Sequence, residues 1–231
     1  MKKLGVIGGM GPEASSYFYS ELIAHTDAAR DQDHIDTLIV SQATMPDRTA
    51  AILSGKHDEL LATMRTDVEA LEAFGCENIA ITCNTSHYFY DQIQAFTKVP
   101  IIHMPREAVR NAVSELGAHR IGVMGTDGTV RSGIYSDACK QAGVECVTPS
   151  PERQADVMSI IYDNVKAGLP ADMHKFNSVM REFYRLDCDA VILACTELSV
   201  VKRDHEVPDM CLDAMDILIR ESILRSGAQY K

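Results

Sequence analysis

The most constraining feature of the sequence is a pattern that occurs twice. The stretch KLGVIGGMGP (3–12) has a counterpart in RIGVMGTDGT (120–129), and CENIAITCNT (76–85) has one in CDAVILACTE (188–197). The spacing is nearly kept, because 78 residues separate Gly5 from Cys83 and 73 separate Gly122 from Cys195. Repetition over such a length predicts two related structural units rather than one continuous fold.

Strand and helix signals alternate within each half of the chain. KLGVIGG predicts a first strand, and Pro12 suits the first turn of the helix that follows it. IDTLIVSQA (35–43) predicts a second strand, and Gly75 ends the helix that comes next. This alternation predicts the α/β class, with two pseudo-symmetric lobes, mostly parallel sheets and an active-site cleft between the lobes.

The predicted lobes divide the chain unequally. The first lobe comprises residues 1–99 together with 208–231, and the second comprises residues 100–207. The division follows the third echo, in which VPDMCLDAMDIL (207–218) matches VPIIHM (99–104). A last helix near 213–225 is expected to fold back onto the first lobe.

Composition excludes several classes of partner. The net charge is -11 and no run of Lys or Arg occurs, so nucleic acids and anionic membranes are poor partners. No stretch approaches the roughly 20 apolar residues of a membrane span. Seven cysteines without a CxxC pair favour free thiols in the cytoplasm, and the scattered histidines predict no metal site. A small-molecule ligand is the expected partner.

Two cysteines occupy matching positions at the ends of predicted strands. Cys83 precedes Asn84 and Thr85, and Cys195 precedes Thr196 and Glu197, which are residues that begin helices. The helix N-terminus is expected to lower the pKa of each thiol. One thiolate and one thiol on opposite faces of a carbon atom make a racemase or epimerase, which requires neither metal nor pyridoxal.

Four motifs closely resemble the aspartate/glutamate racemases, and the aspartate racemase branch most of all. They are GGMGP (8–12), MPDRT (45–49), CNTSH (83–87) and CTELS (195–199). The resemblance extends over nearly the whole chain. It implies a cofactor-independent, two-base racemase of aspartate, with glutamate as a second possible substrate, that is usually a homodimer.

The resemblance also assigns roles to individual residues. Cys83 and Cys195 become the two bases, and Asp47 and Glu197 become acidic neighbours that tune the thiols. Arg48 and Lys166 would bind the substrate carboxylates. The remaining predicted substrate-binding residues are Met10, Asn84, Thr85, Thr126 and Thr196. Lys166 lies on a helix that Ser150 and Pro151 open and Gly168 closes.

Other functions compete with this interpretation. The stretch GMGPEA (9–14) fits a dinucleotide-binding GxGxxA motif, but the second strand lacks the expected acidic residue. His87 could pair with Cys83 in a hydrolase, although Ser199 stands at the matching position of the second half. A decarboxylase or maleate isomerase on the same scaffold, and a non-catalytic dicarboxylate-binding protein, are the remaining alternatives. Retention of both cysteines disfavours the decarboxylase.

Overall fold

The computed structural model describes all residues from Met1 to Lys231, which form two compact units. The first unit comprises Met1–Met104 and Met215–Lys231, and the second comprises Pro105–Ala214. Each unit contains one parallel β-sheet accompanied by helices. The predicted α/β class with parallel sheets is therefore confirmed.

The sheet of the first unit has three parallel strands in the order β2-β1-β3. Its strands are β1 (Leu4–Gly8), β2 (Thr37–Ser41) and β3 (Asn78–Ile81). The central strand β1 is buried along its whole length, as expected of a strand covered on both faces. An isolated parallel bridge between Ile79 and Ile101 extends the sheet beyond β3.

Five helices accompany this sheet. They are α1 (Pro12–His25), α2 (Arg48–Ser54), α3 (Asp58–Phe74), α4 (Tyr90–Gln94) and, at the end of the chain, α11 (Ala214–Arg225). Short 3₁₀ turns cover Asp31–Asp33 and Thr85–Phe89. Pro12 begins α1, and Gly75, at φ 85°, ends α3, as the sequence predicted.

The second unit repeats this arrangement with one more regular strand. Its parallel sheet has the order β5-β4-β6-β7 and consists of β4 (Arg120–Gly125), β5 (Glu145–Val147), β6 (Ala190–Ala194) and β7 (Cys211–Asp213). The helices are α5 (Met104–Leu116), α6 (Asp127–Ser132), α7 (Ile134–Ala142), α8 (Pro151–Ser159), α9 (Met173–Arg185) and α10 (Thr196–Asp204). A π-helical turn at Ile160–Asn164 and a 3₁₀ turn at Val165–Ala167 continue α8 to Gly168.

The boundaries between the units lie a few residues beyond those predicted at 99/100 and 207/208. Ile101 bridges to Ile79, so the segment after residue 99 belongs to the first unit. Strand β7 pairs with β6, so Cys211–Asp213 belongs to the second unit. The expected return of the last helix is confirmed, because α11 lies in the first unit and the Lys2 N–H donates to Ser226 O at 2.9 Å.

The shared strand order gives the two cysteines equivalent positions. Cys83 follows β3 and Cys195 follows β6, and each of these strands pairs with the central strand of its own sheet. The glycine-containing loops begin at Gly9 after β1 and at Thr126 after β4. Ligands bind at the carboxyl ends of parallel strands, so each unit carries a candidate site edge. Each helix of the chain is too short or too polar to span a lipid bilayer.

Candidate active-site residues

Cys83 lies in a buried turn that His87 holds in place. The thiol residue is 7% exposed. His87 donates from Nδ1 to Cys83 O at 2.9 Å, and its Nε2 accepts from the Met104 N–H at 3.2 Å. These backbone partners fix one neutral tautomer of the ring. His87 therefore positions the turn that carries Cys83 and is not a base for its sulfur, as the sequence analysis favoured.

The other predicted residues of this turn are also buried. Asn84 and Thr85 are 3% and 7% exposed and stand at the start of the 3₁₀ turn. Met10, in the loop after β1, is 4% exposed, and its sulfur accepts a hydrogen bond from Ser86 Oγ at 3.3 Å. This contact connects the loop after β1 to the turn after β3. Met10 and the turn residues thus belong to one edge of the first sheet.

Asp47 and Arg48 begin helix α2. Asp47 is the N-cap, and its Oδ1 accepts from the Ala50 N–H at 2.7 Å. Arg48 donates from Nη1 to the carbonyl oxygens of Met45 and Pro46 at 3.2 and 3.0 Å. Its Nε is buried without a hydrogen-bond partner. A guanidinium anchored by one nitrogen and unsatisfied at another is suited to receive a carboxylate.

Glu197 is the centre of the site residues in the second unit. Its Oε2 accepts from the Cys195 thiol at 2.7 Å and from Thr196 Oγ1 at 3.2 Å. Its Oε1 lies 3.8 Å from Lys166 Nζ. The structure therefore brings together all four residues predicted from CTELS and from the end of the Lys166 helix. Cys195, Thr196 and Glu197 are each at most 9% exposed.

The expected activation of Cys195 by the helix N-terminus is wrong for this structure. Burial, the charge of Glu197 and the hydrogen bond to its carboxylate raise the pKa of Cys195 well above its usual value. Lys166 and the Glu197 backbone N–H act in the opposite direction on this pKa but do not overcome those causes. Cys195 is thus held as a thiol, ready to give a proton rather than to take one.

Lys166 and Thr126 occupy helix-terminal positions. Lys166 lies in the 3₁₀ turn that Gly168 ends, and its ammonium stands 4.4 Å from the centre of the Tyr162 ring. Thr126 caps α6 by accepting from the Thr129 N–H at 3.2 Å. Ser150 caps α8 as predicted. No group of three His, Cys, Asp or Glu side chains is arranged to hold a metal ion.

Two contributors were missed in the sequence. Tyr162 lies four residues before Lys166, which is the spacing that places two side chains on one helical face. Ser15 accepts the Gly9 N–H at 2.8 Å and so fixes the loop after β1. The first could have been found from its spacing. The second is a single buried hydroxyl in a helix, for which the sequence holds no signal.

Two α/β units, each with a cysteine at the same strand end, define a duplicated enzyme scaffold. The family model described as Asp/Glu/Hydantoin racemase matches residues 7–222. The chain therefore belongs to this family and is an isomerase of the amino-acid racemase type. The resemblance drawn from the four motifs is confirmed.

The most similar proteins agree with this assignment. The broad specificity amino-acid racemase RacX of Bacillus subtilis is 29% identical over 217 residues, which cover 89% of this chain and 90% of the relative. The aspartate racemase of Picrophilus torridus has a TM-score of 0.83 and 27% identity, covering 100% of this chain and 96% of that one. An aspartate racemase homologue from Pyrococcus horikoshii, at 23% identity and a TM-score of 0.79, covers 98% of this chain and 100% of its own and supports the fold.

Proposed function

We propose that the protein interconverts the enantiomers of aspartate without a cofactor, using Cys83 and Cys195 as its two bases. The observation that carries this proposal is the equivalent position of the two cysteines, each directly beyond a strand that pairs with the central strand of its unit. The thiol of Cys195, held by Glu197 at 2.7 Å, gives that position a proton donor. The printed names of the relatives support an amino acid as substrate.

The proposed reaction moves one proton at each face of the α-carbon. Cys83, as thiolate, removes the α-proton from one enantiomer, and the Cys195 thiol delivers a proton to the opposite face. In the reverse direction Cys195 must first lose its proton, which Glu197 is placed to accept. Backbone N–H groups and the side chains of Asn84, Thr85, Thr126 and Thr196 would stabilise the enolate-like intermediate.

The cations of the two units account for a dicarboxylate substrate. Arg48 has a buried Nε without a partner, and a carboxylate would satisfy it. Lys166 already approaches the carboxylate of Glu197 at 3.8 Å, so it stands beside the thiol it would serve. The protein's net charge of -11 repels anions in general, so local cations must hold the substrate.

Incubation of the purified protein in D2O with L- or D-aspartate, and no added cofactor, tests this function. We expect loss of optical activity together with deuterium at the α-carbon. Glutamate is compared in parallel, because one methylene is worth about 1–3 kcal/mol in a fitted pocket. Maleate serves as a further arm. Turnover of maleate with inert aspartate would replace the proposal by an isomerase of alkenes, and binding without any turnover would replace it by a dicarboxylate-binding protein.

A further inference from the structure

A second pair of cysteines lies outside the proposed site, in the second unit. Cys139 is on the last turns of α7 and is fully buried, whereas Cys146 is in the middle of β5 and is partly exposed. Gly143, at φ 74°, ends α7, and the Val144 N–H donates to Cys139 O at 3.0 Å. This tight turn folds β5 back along α7. The two thiols are hydrogen-bonded to each other across it.

We propose that Cys139 and Cys146 are a modification site that forms a reversible disulfide when the protein meets a peroxide. Two thiols already in contact need little movement to reach the geometry of a disulfide. The seven cysteines are all free, so the pair is available in the reduced protein. Neither residue belongs to the proposed racemase site, and the proposal stands independently of that function.

The two thiols have complementary chemical roles. The hydrogen bond from Cys139 lowers the pKa of Cys146, while the same bond, with burial, raises the pKa of Cys139. The thiolate is the form that peroxides oxidise, and exposure decides which thiolate they reach. Cys146 is therefore the attacking residue, and the buried Cys139 is the one that resolves the product.

The reaction balances with hydrogen peroxide as the oxidant. The Cys146 sulfur attacks one peroxide oxygen, the O–O bond breaks, and the departing hydroxide takes up a proton to become water. Cys146 is then a sulfenic acid. Cys139 loses its thiol proton, its sulfur attacks the Cys146 sulfur, and the S–O bond breaks to release a second water. The two thiols lose two electrons, which the peroxide gains.

Cys195 provides an internal comparison. The same kind of thiol there is buried and held protonated by Glu197, so it should react more slowly. We expect iodoacetamide to label Cys146 at least about tenfold faster than Cys195 in the folded protein at neutral pH. Equal rates would remove the argument that Cys146 is the attacking thiol.

Peptide mapping tests the disulfide directly. Lys140 stands between the two cysteines, so trypsin places Cys139 in residues 132–140 and Cys146 in residues 141–153. After peroxide treatment and alkylation in denaturant, we expect these peptides to be linked and two hydrogens lighter than the separate pair. Dithiothreitol should restore both thiols. Cys146 recovered as sulfinic acid while Cys139 stays alkylatable would overturn the proposal, as would linkage of either residue to another cysteine.

Variants separate the pair from the remaining thiols. Cys146→Ser, at a partly exposed position, should abolish the linked peptide and leave Cys139 alkylatable after oxidation. Cys188→Ala is the matched control, because this cysteine is in the same unit but outside the pair, and the link should still form. A link that is lost in the Cys188→Ala variant contradicts the assignment. If Cys146→Ser does not fold, as judged by circular dichroism, the mapping of the wild-type protein still decides.

Discussion

Glu197 determines the resting state of Cys195, because its Oε2 both accepts the thiol hydrogen bond and supplies a nearby negative charge. Glu197→Gln removes that charge, so we expect the pKa of Cys195 to fall and the thiolate to appear at lower pH. Racemisation should fall by about 10²-fold in kcat, because the carboxamide cannot accept a proton from Cys195. The pH profile of Cys195 alkylation, followed by mass spectrometry, measures the first effect.

The control for this prediction is Glu206→Gln, at an exposed position just after α10. It removes the same charge from the chain without touching Cys195, and its alkylation profile should match the wild type. An unchanged profile in Glu197→Gln would show that burial alone sets the pKa of Cys195.

Asp67 is a buried carboxyl group that the proposed mechanism does not use. It lies on α3 with 2% exposure, and its Oδ2 has no hydrogen-bond partner. Burial raises the pKa of Asp67 from 3.8 to about 6. The folded state therefore binds this proton more tightly than the unfolded state, so its contribution to stability is complete below about pH 4 and is lost as pH rises through about 6.

We therefore expect Asp67→Asn to be more stable than the wild type at pH 8. This pKa shift corresponds to about 3 kcal/mol as an upper bound. Urea unfolding at pH 5 and pH 8 measures the difference, which should shrink at the lower pH. Glu69→Gln, on the exposed side of the same helix, is the control and should show no such dependence. A stability difference that is equal at both pH values would mean that Asp67 is already satisfied.

Helix α2 connects a cap to the proposed substrate clamp, because Asp47 is its N-cap and Arg48 is its first residue. Asp47→Ala removes the hydrogen bond to the Ala50 N–H and should cost about 1 kcal/mol of stability. Since the first turn then frays, KM for aspartate should rise. Asp47→Asn keeps a capping oxygen and should preserve both quantities. If Asp47→Asn keeps its stability but loses kcat, the acidic role implied by the family resemblance is the correct one.

The loop after β1 requires glycine at position 9 for a reason that goes beyond its φ of 86°. A Cβ on Gly9 would lie 2.3 Å from the backbone nitrogen of Gln42, whereas a Cβ on Gly75, at φ 85°, would meet nothing within 4 Å. Gly75→Ala should cost about 1–2 kcal/mol, from its left-handed backbone alone. Gly9→Ala should cost about 3 kcal/mol or more, because backbone must also move. Equal losses in denaturant unfolding would contradict the close approach.

The elements that the sequence predicted well are those defined by local chemistry. Pro12, Gly75 and Ser150 mark helix ends through their own backbone or side-chain properties, and each does so in the structure. The π-helical turn at Ile160–Asn164 had no such marker. The protonated state of Cys195 was missed for a related reason. It depends on how the Glu197 side chain folds back onto the thiol, which spacing along the chain does not specify.

At the scale of the whole molecule, the duplication was visible because it repeats both residue types and spacing. Strand order within each unit follows the same scheme, with the first strand central and the third beside it. The unit boundaries were misplaced because they depend on the pairing of Ile101 with Ile79 and of β7 with β6. Such pairings join residues distant in sequence, and a six-residue apolar segment does not reveal its partner.

The duplicated scaffold predicts that each unit supplies one half of the reaction. Cys83→Ser and Cys195→Ser should each abolish racemisation, because a serine hydroxyl is far too weak an acid to replace either thiol. Each variant should still exchange the α-proton of one enantiomer of aspartate for deuterium through its remaining cysteine, and the two variants should act on opposite enantiomers.

Mass spectrometry of L- and D-aspartate incubated separately in D2O measures this exchange, with chiral chromatography to monitor inversion. The matched control is Cys76→Ser, since Cys76 is a buried cysteine of the first unit that packs against Gly5 and should leave both activities in place. Cys195→Ser keeps only Cys83, which needs no proton transfer to Glu197, so its exchange should not depend on that residue. The double variant Cys195→Ser with Glu197→Gln should therefore exchange as fast as Cys195→Ser alone. Full racemisation in either single cysteine variant, or exchange of the same enantiomer in both, would mean that the two units do not divide the chemistry between them.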